Sequence, residues 1–133
     1  MLDEARVVIA SDPDIVTARQ RGRELATQLS LPSSDLTLVA AAISELARNI
    51  LIYATQGEIR LGLVQERGRH GLVVVAHDEG PGIPDLAQAM QDGYSTGGGL
   101  GLGLPGAKRL MDEFEIISVV GKGTTVTMKK WKR

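Results

Sequence analysis

Residues 58–78 read EIRLGLVQERGRHGLVVVAHD. The first part sets Ile59, Leu61 and Leu63 against Arg60, Gly62 and Val64, the period of two that gives a strand one apolar face. Residues 66–71 (ERGRHG) are polar and hold two glycines, so a turn is expected there. Residues 72–76 (LVVVA) are apolar on both faces, as a strand inside a sheet is, and end at His77 and Asp78. Strands joined by so short a connection run antiparallel, because a parallel crossover needs a dozen or more residues. Near the C-terminus the pattern recurs: strand 114–120, turn Gly121-Lys122-Gly123, strand 124–130. A doubly wound parallel sheet is thereby disfavoured.

Outward from this hairpin the chain reads as helix. Residues 6–10 (RVVIA) are a short strand, after which Ser11 or Asp12 caps a helix with Pro13 in its first turn. Ile15, Ala18, Gly22, Leu25 and Leu29 then recur at helical spacing. A break at 31–34 leads to a second helix, 35–54, capped by Ser34 and ended by Gly57. Residues 79–84 (EGPGIP) are irregular, 85–90 a short helix, and 91–103 a long mobile loop. Residues 104–112 return to helix with Leu104, Ala107, Leu110 and Met111 on one face. The expected fold is one α+β domain spanning 1–133. It is a two-layer sandwich with a mixed, mainly antiparallel sheet of about five strands and helices on one face.

Composition narrows the function. The chain has 133 residues, enough for a single core, and no cysteine, which excludes disulfides and thiolate metal sites. Its two histidines cannot build a His-rich metal centre. A net charge of −1 speaks against nucleic acid as a partner. The longest apolar run is six residues, 38–43, far short of the roughly 18–20 of a membrane span. The start, MLDEAR, lacks the basic and apolar regions of a signal peptide. A soluble cytoplasmic protein, off the membrane, is expected.

On a wheel of the second helix, Asn49 lies about 40° from Glu45. Leu36, Val39, Ile43, Leu46 and Ile50 form a core face at about 100–180°, and Ser44, Thr37 and Arg48 a solvent face at about 260–300°. Glu45 and Asn49 belong to neither and project from a mostly apolar side. A nearby backbone group or arginine satisfies them, or they serve chemistry: Asn49 as an oxygen ligand for Mg²⁺, Glu45 as a general base.

Asp78-Glu-Gly-Pro-Gly82 follows the apolar strand. It is either a turn capped by its aspartate or a ligand site. In the second case Asp78 accepts from the exocyclic amine of adenine, and guanine, with an acceptor there, is rejected. Six of the 16 glycines fall between Gly97 and Gly106, interleaved with Leu100, Leu102 and Leu104. A plain linker has no use for those leucines. Glycines before a helix let phosphates approach its N-terminal N–H groups. The run is no Rossmann fingerprint, since no apolar strand leads into it, and no Walker A loop, since Ala107 stands where lysine should follow Gly106.

Taken together, the motifs resemble the GHKL ATPase/kinase superfamily of the Bergerat fold. Glu45-Leu-Ala-Arg-Asn49 is similar to its N box, Asp78-Glu-Gly-Pro-Gly82 to the first glycine box, and Gly99-Leu-Gly-Leu-Gly-Leu104 to the second, which closes the ATP lid. Gly121-Lys-Gly-Thr-Thr125 is similar to the final glycine–threonine motif. A lone domain with Ser-Glu-Leu-x-x-Asn resembles the bacterial anti-sigma and switch serine kinases, above all the RsbT-type branch. Ala18-Arg-Gln-x-Gly22-Arg, Asp92-Gly-Tyr-Ser-Thr96 and Lys108-Arg-Leu-Met-Asp112 carry that branch.

The resemblance implies ATP and Mg²⁺, with Asn49 on the metal and Glu45 as base toward a serine hydroxyl. It implies Asp78 on adenine and Gly80 and Gly82 as room for the purine. Gly99, Leu100, Gly101, Leu102, Gly103 and Leu104 would wrap the phosphates, and Lys108 would touch them. Thr124 or Thr125 would reach the adenine side. It further implies serine/threonine phosphorylation of STAS-domain partners in a stressosome-type module, and activation of a PP2C-type phosphatase by binding. The alternative it leaves is a binding module that sequesters a sigma factor.

Overall fold

The computed structural model describes residues 4–84, 90 and 103–133. The elements are β1 (Glu4–Ile9), α1 (Asp12–Gln28), α2 (Ser33–Ala54), β2 (Gly57–Glu66), β3 (Arg69–Asp78), α3 (Gly103–Leu110), β4 (Glu113–Val119) and β5 (Gly123–Trp131). The short helix expected at 85–90 and the loop at 91–103 lie outside the described residues but for Met90, in a turn, and Gly103. The strands form one sheet in the order β1-β2-β3-β5-β4, and every neighbouring pair is antiparallel. The mixed sheet expected from sequence is thus antiparallel throughout. LVVVA sits in the central strand, as its apolarity on both faces implies.

The β2–β3 turn is tighter than the polar stretch suggested. Arg67 (φ 53°) and Gly68 (φ 79°) alone make it, both left-handed, the conformation that matches a two-residue turn to strand twist. Glu66 therefore pairs with Arg69, and the strands run on through residues expected to be loop. Gly71 is a packing glycine: a Cβ there would meet the Trp131 ring at 2.6 Å.

Both helix starts are instructive. Ser11 is the N-cap of α1, and the Asp14 carboxylate accepts from the N–H groups of Ala10 (2.9 Å) and Ser11 (3.0 Å). α2 starts at Ser33 with Pro32 at the cap position, so Ser34 is inside the helix and caps nothing. Its end is made by Thr55 in the left-handed region (φ 71°), while Gly57 already belongs to β2.

The three helices among the described residues lie on one face of the sheet. Val39, Ile43, Leu46 and Ile50 of α2 pack over Ile59, Leu61, Val74, Val126 and Met128 of the strands, all essentially buried. Each such side chain contributes about 1.5–3 kcal/mol on burial. α1 closes on α2 at Gly22, whose absent Cβ makes room for the Ile43 methyl. α3 packs on α2 and buries Leu104 and Ala107, two of the positions expected to share its apolar face. By length and composition α2 is able to cross a membrane, but half of its most apolar window is buried inside the protein, as in a core helix. Ser44 departs from its expected solvent face. It is buried, and its hydroxyl donates to the Ala40 carbonyl (2.9 Å), which removes most of the cost of burial.

Candidate active site

The apolar residues of β3 stop at Ala76, and two residues later Asp78 ends the strand on the helix-covered face. It is only 4% exposed. Its Oδ1 accepts from the Gly80 N–H (3.0 Å) and, across the sheet, from the Thr124 N–H (3.3 Å). Both bonds fall on one oxygen, so Oδ2 takes no part in them. The Thr124 hydroxyl is 2.8 Å from that of Ser118, which accepts from the Ile83 N–H (2.8 Å). The Pro81 carbonyl takes the Gly121 N–H (2.8 Å). The end of β3 and the irregular segment after it are thus fastened to the β4–β5 hairpin at three points, through Asp78, Pro81 and Ile83.

The glycines of this segment are required by the protein's own packing. A Cβ on Gly80 would lie 2.5 Å from the Ala54 Cβ at the end of α2. Gly82 has φ 78°, and its Cβ would meet the Val119 carbonyl at 2.6 Å. Neither glycine depends on a bound purine for its explanation.

α2 supplies the other half of the site. Ile50 and Ala54 approach Gly57 and Gly80, which brings the C-terminal turns of α2 to the mouth of β3. Asn49, in the same turns, is 6% exposed. Glu45, one turn earlier, has a side chain 12% exposed and accepts from Arg48 Nη1 at 2.8 Å. Arg48, placed on the solvent face by the wheel, folds back along the helix to this carboxylate. α3 begins at Gly103 (φ 51°), which directs the chain into the helix, and Leu104 is buried. Lys108 is exposed on α3. Gly99, Leu100, Gly101 and Leu102 lie outside the described residues.

Thr125 does not join the site. Adjacent residues of a strand face opposite sides, and Thr125 is on the open face of the sheet, 2.8 Å from His77 Nδ1. Of the two threonines only Thr124 shares a face with Asp78. Sequence reasoning missed Ser118, and it left an arginine partner for Glu45 open without naming Arg48, which makes that bond. The tight turn at 121–123 held the signal for the first, since it sets Ser118 opposite Thr124. The spacing of three residues held it for the second.

A buried carboxylate with one oxygen tied and the other outside those bonds suits a ligand amine. A buried carboxamide one turn from a carboxylate suits a metal-bound phosphate. The model of the histidine kinase-like ATPase domain matches residues 9–130, nearly the whole of this arrangement. The chain belongs to that family. This ATPase domain is 52% identical, over the full length of both chains, to the serine/threonine-protein kinase RsbT of Bacillus subtilis (strain 168). It is 34% identical to the anti-sigma F factor of Geobacillus stearothermophilus over 110 residues, 77% of this chain and 74% of that one. Among solved structures, that of the RsbU and RsbW domains of Rv1364c from Mycobacterium tuberculosis matches with a TM-score of 0.63. At 21% identity, over 96% of this chain and 31% of that one, it shows a shared fold. The domain is an ATP-binding, RsbT-like protein-serine/threonine kinase of GHKL type.

Proposed function

We propose that this kinase transfers the γ-phosphoryl group of ATP to a serine or threonine of STAS-domain partners in a stressosome-type module. We also propose that it activates a PP2C-type phosphatase by binding it. The observation that carries the reading is the 52% identity over the whole of both chains to a serine/threonine-protein kinase. Its place of action is the cytoplasm.

The residues fit ATP and Mg²⁺. Asp78 Oδ2, outside the two bonds on Oδ1, accepts from the adenine amine, and Thr124 lines the same side. Among the described residues no group of three His, Asp or Glu side chains converges as a metal cage. That suits a cation held by Asn49 together with the phosphates of the nucleotide, the usual coordination of Mg²⁺ in phosphoryl transfer. Mg²⁺, when bound, neutralises phosphate charge. Gly103 and Leu104 bring the N-terminal N–H groups of α3 toward the phosphates, with Gly99, Leu100, Gly101 and Leu102 preceding them and Lys108 a turn beyond. Glu45 takes the proton of the attacking hydroxyl, and Arg48 holds one oxygen so that the carboxylate keeps its position.

The test is a pair of assays, Mg-ATP affinity and phosphate incorporation into a STAS-domain protein. Asn49→Ala lowers both. Glu45→Ala keeps most ATP affinity and slows phosphotransfer, by roughly 10²–10⁴-fold if base catalysis is fully used. A wild-type rate in Glu45→Ala would remove the base assignment. A second reading, nucleotide-dependent sequestration of a sigma factor, has the support of the anti-sigma F factor at 34% identity. It predicts tight sigma-factor binding and no labelled STAS protein.

A further inference from the structure

By sequence, residues 129–133 (KKWKR) are a solvated basic stretch. Lys130 departs from that. It lies opposite Leu72 on the helix-covered face of β5 and is only 7% exposed. Its Nζ donates to the carbonyl of Leu110, the last residue of α3, at 3.0 Å, and stands 4.0 Å from Asp112 Oδ1. Asp112 is tied to the same strand twice more. Its Oδ2 accepts from the Trp131 N–H (2.7 Å), and its own N–H donates to the Lys129 carbonyl (3.0 Å). The short connection from α3 to β4 is thus clamped to β5.

α3 needs such support. Its eight residues, GLPGAKRL, include a proline and two glycines, and so short a helix is unstable in water on its own. Leu104, Ala107 and, just past its end, Met111 supply apolar contact. Lys130 supplies a polar one. Its ammonium meets the negative end of the helix dipole, and the carbonyl it bonds offsets the cost of burying it. We propose that Lys130 is a positioning residue for the phosphates of the nucleotide: with Asp112 it fixes the C-terminal end of α3 and so holds the other end, Gly103 and Leu104, where the phosphates bind. This role depends on the reading above that the first N–H groups of α3 face those phosphates. A helix of eight residues is only about 12 Å long and moves as one rod, so freedom at Leu110 becomes freedom at Gly103. The clamp's bonds go to Leu110, Asp112 and β5, and none reaches Asp78 or Thr124. The base end of the site is therefore expected not to feel its loss.

The test is calorimetric titration of the full-length chain with Mg-ATP and, separately, with adenosine, which has the base and no phosphate. Wild type is expected to bind Mg-ATP the more tightly. Lys130→Met keeps a buried apolar stem and removes the ammonium. It is expected to bind Mg-ATP about tenfold more weakly, the loss of one charge-assisted bond, with adenosine affinity unchanged. Lys130→Arg still carries a donor for the Leu110 carbonyl and is expected to recover most of the Mg-ATP affinity. Wild-type Mg-ATP affinity in a folded Lys130→Met overturns the role. Equal weakening toward Mg-ATP and adenosine overturns it too, since a lysine that merely supports the fold would give that result. Adenosine bound by wild type as tightly as Mg-ATP overturns the placing of phosphates at α3, and the role with it. Where circular dichroism shows Lys130→Met unfolded, Asp112→Asn takes its place: an amide oxygen still accepts from the Trp131 N–H, but the charge beside the ammonium is gone. A loss confined to Mg-ATP is expected again, and no loss, or one shared by adenosine, overturns the proposal.

Discussion

Asp78→Asn separates the two tasks of one carboxylate. In the native protein Oδ1 accepts from the N–H groups of Gly80 and Thr124, at 3.0 and 3.3 Å. An asparagine oxygen can accept both, and in doing so it fixes the amide orientation, with Nδ2 turned to where Oδ2 was. The fold then loses only the charge assistance of two bonds, roughly 1 kcal/mol each. For a domain of this size that lowers Tm by roughly 8 °C. Nucleotide choice changes more sharply. The adenine amine would meet a donor where it had an acceptor, and losing a bond to a charged group costs about 1.5–3 kcal/mol, a roughly 10- to 150-fold drop in ATP affinity. The same Nδ2 faces the guanine carbonyl favourably, so the ratio of GTP to ATP affinity should rise. Asp78→Ala is the poorer probe. It orphans two buried donors, for about 2–6 kcal/mol, a large part of the stability of any domain. Calorimetric titration with ATP and GTP, beside thermal unfolding, reads both effects. ATP affinity unchanged in a folded Asp78→Asn would take Asp78 out of the nucleotide site. An Asp78→Ala protein as stable as wild type would refute the anchoring role.

Thr124→Val should weaken ATP binding while Thr125→Val leaves it unmoved, because the two side chains lie on opposite faces; equal losses would contradict the register Asp78↔Thr124. Gly22→Ala should destabilise by about 1–3 kcal/mol in urea unfolding, since the new methyl collides with Ile43 where α1 crosses α2. The Asp14 carboxyl is held below its ordinary value, first by the Ala10 N–H and then by Ser11. Its contribution is therefore present above the ordinary carboxylate pKa and is lost as pH falls through the lowered folded value. Asp14→Ala should be less stable than wild type at neutral pH and equal to it in strong acid, and a constant difference across that range would rule out the linkage.

The legible parts were those where one element carries its own evidence. The alternation from Ile59 to Leu63, the two-faced apolar run from Leu72 to Ala76 and the tight turn at Gly121–Gly123 state strand, central strand and hairpin without reference to anything distant. Asp78 was legible as a strand terminus before Gly-Pro-Gly. What remained hidden depends on contacts across the chain. Gly71 looked like a turn residue, and only its pairing with Trp131 shows that an indole occupies the space of its side chain. A helical wheel sorts residues by angle alone, so it put Ser44 in solvent, although that hydroxyl finds its acceptor inside the helix. It also separated Arg48 from Glu45 by more angle than a flexible arginine needs to cross. Thr124 and Thr125 are chemically equal, and the choice between them is made by strand register, which adjacent residues cannot reveal.

The site therefore rests on a join between distant segments. Asp78 reaches forward to Gly80 and across to Thr124, and Thr124 reaches through Ser118 to Ile83. On the proposed reading Asp78 would bind adenine through Oδ2 while Oδ1 holds the fold, so ligand and fold would share one side chain without competing for the same lone pairs. The consequence is mechanical. Anything that displaces the β4–β5 hairpin moves the Thr124 N–H away from Asp78 and loosens the segment 79–84 that borders α2. Ile117 and Val119, on the outer face of that same hairpin, are exposed. A protein docking there would press on the strand pair whose inner face holds Ser118 and Thr124. The antiparallel sheet thus supplies a short physical route, one strand thick, between its outer face and the side that holds Asp78 and Thr124.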